Sequence, residues 1–146
     1  MKRVVFAVLA LAGLAFAQTP FVGGGFSVGN GFNLSAVVGV DDLTQVMDRP
    51  LGVRAALDVP LGGGQFRGDV SAYLGFPTTL QGEVTLPGPI VFYTGLGVAV
   101  STSAGLNLLA GAHFPVVEPV NLFGEINASV FGGPGLTARA GVRFGF

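Results

Sequence analysis

The stretch Leu136-Thr137-Ala138-Arg139-Ala140-Gly141-Val142-Arg143-Phe144-Gly145-Phe146 ends the sequence and carries the pattern that decides the fold. Leu136, Ala138, Ala140, Val142, Phe144 and Phe146 are apolar, whereas Thr137, Arg139, Gly141, Arg143 and Gly145 between them are polar or small. Successive side chains of a β-strand point to opposite faces, so a period of two marks a strand with one apolar and one polar face. Both arginines fall on the polar face.

The same alternation recurs upstream in 120–131, 104–114, 90–100, 79–86, 66–76, 51–59 and 32–40. In 104–114, Leu106, Leu108, Ala110, Ala112 and Phe114 oppose Gly105, Asn107, Leu109, Gly111 and His113. In 66–76, Phe66, Gly68, Val70, Ala72, Leu74 and Phe76 oppose Arg67, Asp69, Ser71, Tyr73 and Gly75. These runs make eight strands. Most have the roughly 9–11 residues that a tilted strand needs to cross a bilayer.

The charges decide what each face meets. Beyond Lys2 and Arg3 the chain carries five arginines and eight acids. Arg54, Asp58, Arg67, Asp69, Glu83, Glu125, Arg139 and Arg143 lie on the polar phase of a strand; Asp41, Asp42, Asp48, Arg49 and Glu118 fall in connections. None lies on the apolar phase. A soluble barrel of the lipocalin type is polar outside and apolar inside, the reverse of this order. A soluble sandwich could bury the apolar phase, but its outer face would carry far more charge. The pattern predicts an all-β fold: an eight-stranded, antiparallel, up-and-down transmembrane β-barrel, apolar outside and charged inside.

Composition agrees. Only 10% of the 146 residues are charged, against about 25% in ordinary soluble domains, and mean hydropathy is +0.68. The net charge of −1 offers no basic face for nucleic acid. The absence of cysteine excludes thiol catalysis, disulfides and thiolate metal sites. A spanning helix in the uncharged run 84–117 is disfavoured by Pro87, Pro89, Gly95, Gly97, Gly105, Gly111 and Pro115.

Met1-Lys2-Arg3, the apolar run Val4–Phe16 and the small-x-small triplet Ala15-Phe16-Ala17 form an export pattern. The run is shorter than the roughly 20 residues of a spanning helix. Residues 1–17 are therefore expected to be a cleaved signal peptide and 18–146 the barrel.

Two parses of the strands give eight. Pro60, Pro87 and Pro115 recur at spacings of 27 and 28 residues, each after the last apolar-phase residue of a run. This repeat favours a first strand at 32–40 and a strand at 79–86, with all three Pro-marked turns on the side of the termini. The other parse splits 21–40 at Asn30-Gly31, a strong turn dipeptide, and makes 77–89 a loop. Against it, Val22, Phe26, Val28, Phe32 and Leu34 keep one phase. The first parse places Phe32, Phe66, Phe92, Phe114, Phe144 and Phe146 in one belt on the terminal side, with 41–50 as the one long loop.

With its export pattern and its terminal alternation ending on phenylalanine, the chain resembles the small eight-stranded bacterial outer membrane barrels, the OmpA transmembrane domain and OmpX-like class. The resemblance covers 18–146 in pattern rather than in residue identity. It implies location in the bacterial outer membrane after export through the inner membrane. It also implies contact with outer membrane lipid, passage through periplasmic chaperones, recognition by the barrel-assembly machinery and a monomeric state. Phe144 and Phe146 stand where that family carries its assembly signal. The chain departs from the family in its short loops and in having no Trp for an interfacial girdle.

Little else suggests chemistry. The inward charges balance at four arginines and four acids, and an eight-stranded bore is just wide enough for side chains to fill it. A salt-bridged plug is expected rather than a conduit. His113 is the single histidine, with no Ser-His-Asp spacing around it and no companion metal ligands. Gly23-Gly24-Gly25 and Gly62-Gly63-Gly64 precede no helix pattern, so neither reads as a phosphate loop. Asp41, Asp42 and Asp48 lack the spacing of a calcium loop. The expectation is a non-enzymatic outer membrane barrel, structural or barrier-related, without metal or cofactor. A narrow transport barrel or a barrel for small-hydrophobe passage, of the OmpW-like kind, is the alternative, and a lipid-modifying enzyme a more distant one.

Overall fold

Period-two alternation becomes eight strands in the computed structural model, which describes residues 19–29, 31–79 and 87–146. They are β1 (Pro20–Gly29), β2 (Gly31–Val46), β3 (Arg49–Pro60), β4 (Arg67–Thr78), β5 (Ile90–Val100), β6 (Ala104–Val117), β7 (Val120–Val130) and β8 (Leu136–Gly145). Each strand is antiparallel to the next, and β8 pairs back onto β1 to close the barrel. Closure satisfies every sheet edge, which an open sheet of such apolar strands would leave as a template for aggregation. The described residues contain no helix. The expected signal peptide, 1–17, lies outside them.

The split at Asn30-Gly31 is the correct parse. β1 and β2 form a hairpin in which Gly29 pairs with Gly31, Val28 with Phe32 and Phe26 with Leu34. Gly31 has φ 108, open to glycine and strained for other residues. The pairing is symmetric about residue 30, so even-numbered residues face even-numbered residues. Unbroken phase through 22–34 is therefore what a tight hairpin produces, and it never argued for one long strand. The eight described strands close the barrel without the expected strand at 79–86, since β4 pairs directly with β5 out to Thr78 and Ile90. Residues 80–86 themselves, Glu83 among them, lie outside the described residues.

This shift in parse moves one end of the molecule. Pro60 ends β3 at the pole opposite the termini, whereas Pro87 and Pro115 stay at the terminal pole. The 27–28 residue repeat is thus not a structural period. The single phenylalanine belt becomes two. Phe26, Phe32 and Phe66 lie toward the far pole, and Phe76, Phe92, Phe114, Phe144 and Phe146 toward the terminal pole. Phe26 and Phe32 stack at 5.2 Å between ring centroids. Nor is 41–50 a loop. β2 continues to Val46 past a register irregularity between Val40 and Thr44, and returns through Met47 and Asp48 at φ 52 and 60.

The apolar phase is the outside all round the barrel. Val22, Leu34, Leu57, Val70, Leu96, Leu108, Ile126 and Phe144 are all exposed. The inside is polar, with two small apolar clusters, Phe21–Val37–Ala56–Phe123 and Tyr73–Tyr93–Leu109. Glycines set the tight curvature. A Cβ at Gly97 would stand 2.0 Å from the carbonyl oxygen of Val70, and one at Gly25 2.1 Å from that of Ala140. Only glycine lets neighbouring strands turn so sharply toward the axis.

Candidate functional site

The candidate site is the filled bore. Its charged residues come from inward positions of five strands: Asp41 of β2, Arg54 and Asp58 of β3, Arg67 and Asp69 of β4, Glu125 of β7, and Arg139 and Arg143 of β8. Arg139 is the hub. Its Nε and Nη2 donate side-on to the two oxygens of Asp58 at 3.0 and 2.7 Å; Nη2 also donates to Asp69 Oδ2 at 2.9 Å, and Nη1 to Glu125. Arg54 bridges two of these acids, reaching Asp69 at 2.8 Å and Glu125 at 2.8 Å, and donates to Asn127 Oδ1 at 2.9 Å.

Neutral side chains complete the ring. The Tyr93 hydroxyl donates to Glu125 at 3.0 Å. Arg67 lies 3.8 Å from Asp69 and donates to Asn107 at 3.1 Å and to Thr137. Asn107 in turn donates to Ser71 and Asn127 at 3.2 and 3.0 Å. Burying charge is tolerable only when each ion is paired and hydrogen-bonded. Here Arg139, Asp58 and Asp69 are each under 4% exposed.

A second cluster fills the terminal end. Arg143 grips Asp41 through both Nη atoms, stacks 4.3 Å over the Phe21 ring, and places Nη2 3.1 Å from His113 Nε2. Tyr73 donates to Asp41 at 2.5 Å. Asp41 was expected in a connection. It instead continues the inward odd-numbered phase of Asn33, Ser35, Val37 and Gly39. Running the β2 phase one more step past Val40 would have found it. With Asp41 in place of Glu83, the described bore holds four arginines and four acids.

His113 is buried and contacts a cation rather than a carboxylate, an arrangement that fits no relay of nucleophile, base and acid. Asp41 is committed to Arg143, so Asp41, Asp42 and Asp48 form no shared cation site. Among the described residues no group of three metal-ligating side chains comes together. A void of about 10 Å³ remains between Phe21, Arg54, Tyr73, Tyr93, Phe123 and Arg143, room for roughly one water. Under the far pole, a pocket of about 30 Å³ lies between Asn33, Asp58, Gln65, Arg67 and Thr137. Phe144 and Phe146 point outward at the terminal pole, on the last turn of the sheet. A comparison with known protein families and with curated proteins finds no match to this chain.

Proposed function

We propose that the chain is an integral β-barrel of the bacterial outer membrane, structural or barrier-related and without enzymatic activity. One observation carries the reading: the outer face is apolar all round while eight charges turn inward and pair. A soluble barrel gains nothing by exposing so much apolar surface to water, whereas lipid is a matched solvent for it. Dimensions agree. At about 3.3 Å per residue and the roughly 40° tilt of such barrels, the eleven residues of β5 rise about 25 Å. That is about the height of the apolar band in outer membrane barrels.

The two phenylalanine rings would lie at the two interfaces, standing in for a Trp and Tyr girdle. The resemblance to the OmpA and OmpX-like class adds export, chaperone escort, assembly through Phe144 and Phe146, and a monomeric state. The filled bore favours a closed barrel over small-solute passage. Two measurements test this: cell fractionation with a heat-modifiability gel, and conductance of the purified protein in planar bilayers. A heat-shifted band in the outer membrane fraction and near-silent bilayers are expected. Recovery in a soluble fraction would refute the membrane reading, and steady ion conductance would refute the closed bore.

A further inference from the structure

Among the described residues the exposed charges are confined to one pole. Asp42, Asp48, Arg49 and Glu118 are all exposed at the end that holds the termini. The connections at the far pole are Asn30, Leu61-Gly62-Gly63-Gly64-Gln65-Phe66, Ser101-Thr102-Ser103 and Phe131-Gly132-Gly133-Pro134-Gly135, and they contain no acid and no base. The charged residues bordering the mouth there, Asp58 and Arg67, are 1% and 4% exposed and belong to the bore.

In place of charge the far pole presents large apolar side chains. Leu61, Phe66 and Leu136 are more than half exposed, and Phe131 is 95% exposed. Phe131 has φ 58, a left-handed conformation that bulky residues rarely adopt, and its exposure shows the ring standing clear of the barrel body. Several polar groups at this pole bond one another, although Ser129 Oγ is buried without a partner. Ser101 Oγ donates to Gln65 at 3.2 Å, Gly133 N to Ser103 Oγ at 3.2 Å, Ser129 N to Gly135 O at 3.0 Å and Ser101 N to Ser103 O at 3.0 Å. Loops that close their own hydrogen bonds tolerate a partly dehydrated setting.

A charged partner would find nothing to pair with here. The apolar surface of the pole is continuous with the outer face through Phe26, Val28, Phe32 and Leu136, so one medium covers both. We propose that the far pole does not rise into water but is seated in the glycerol and headgroup layer of the bilayer, with Phe66 and Phe131 as its anchors. This rests on the membrane reading above. It makes the barrel one-sided: one pole is wetted and charged, and the other is flush with lipid.

The chain has no Trp, so single Trp reporters are unambiguous. Phe66→Trp, Phe131→Trp, Met47→Trp and Leu108→Trp are reconstituted separately into phosphatidylcholine vesicles. Each is quenched with aqueous iodide, with lipid brominated near the glycerol and with lipid brominated at mid-chain. Met47 is the matched control, 89% exposed but at the charged pole beside Asp48 and Arg49. Phe66→Trp and Phe131→Trp should be quenched by the shallow bromolipid and resist iodide by about threefold or more relative to Met47→Trp. Iodide quenching of Phe131→Trp equal to that of Met47→Trp, with Leu108→Trp still quenched at mid-chain, would overturn the proposal and leave the membrane reading standing. Failure of Leu108→Trp to respond to mid-chain bromine would overturn both.

Discussion

Replacing Arg139 by methionine tests whether the ionic bore holds this barrel together. Arg139 contacts three carboxylates, but their situations differ once it is gone. Asp69 keeps Arg54 at 2.8 Å and Arg67 at 3.8 Å, and Glu125 keeps Arg54 at 2.8 Å and the Tyr93 hydroxyl at 3.0 Å. Asp58 keeps the hydroxyls of Ser35 and Ser27 but loses its salt bridge, and its cross-strand neighbour Arg67 acts on it only from beyond salt-bridge distance. One buried carboxylate is stranded, and breaking a buried pair from one side costs about 3–5 kcal/mol. That is a large share of the roughly 5–15 kcal/mol by which domains are stable. Asp58→Asn removes the stranded charge while keeping the shape. The double variant Arg139→Met, Asp58→Asn should therefore be more stable than the sum of the single losses by about 1–3 kcal/mol. Urea unfolding in phospholipid vesicles measures this, followed by the emission of Tyr73 and Tyr93. These are the chain's only two tyrosines and both lie inside the bore. An Arg139→Met variant within about 0.5 kcal/mol of the parent, or a double variant that is simply additive, would refute the reasoning.

Leu108→Arg, on the outer face at mid-strand, should cost about 2–4 kcal/mol in bilayers, while Leu136→Arg at the far pole should cost about 0–1 kcal/mol; equal costs in vesicle unfolding would contradict a lipid-facing exterior. Gly97→Ala forces a methyl group against the Val70 carbonyl and should destabilise by about 1–3 kcal/mol. Gly124→Ala meets nothing within 4 Å and should stay within about 0.5 kcal/mol of the parent in the same assay. Phe146→Ala and Phe114→Ala should each cost about 1–2 kcal/mol on refolding into detergent, but only Phe146→Ala should deplete the outer membrane fraction of cells. Equal depletion would reduce Phe146 to a belt residue.

Much of the architecture could be read before any coordinates, because a strand's phase is printed directly in its residues. The inward assignment of Arg54, Asp58, Arg67, Asp69, Glu125, Arg139 and Arg143 needed only the period of two. Phase says nothing about where a strand turns back when the turn is symmetric, and the hairpin about Asn30 is such a case. There the dipeptide Asn30-Gly31 was the informative signal, and the recurrence of proline misled. Asp41 was missed because β2 runs on through a register irregularity into what looked like a charged loop. Pairing across the bore, such as Asp58 with Arg139, depends on the stagger of strands around the axis. No local pattern records that.

The ionic bore also constrains how the barrel can form. Arg139 lies 81 residues from Asp58 and 70 from Asp69, and Arg143 lies 102 residues from Asp41. None of these pairs exists until β8 has met β1. On the proposed membrane reading, a sheet inserted strand by strand would turn its inner face to hydrocarbon with Asp41, Asp58 and Arg143 still lacking their ion-pair partners, each very costly at the bilayer centre. On that reading, crossing the bilayer and closing the ring are expected to be nearly one event, with the nascent sheet sheltered or curled until its last strand arrives. The ion pairs that span the finished bore would, on the same reading, disfavour a half-built barrel in lipid.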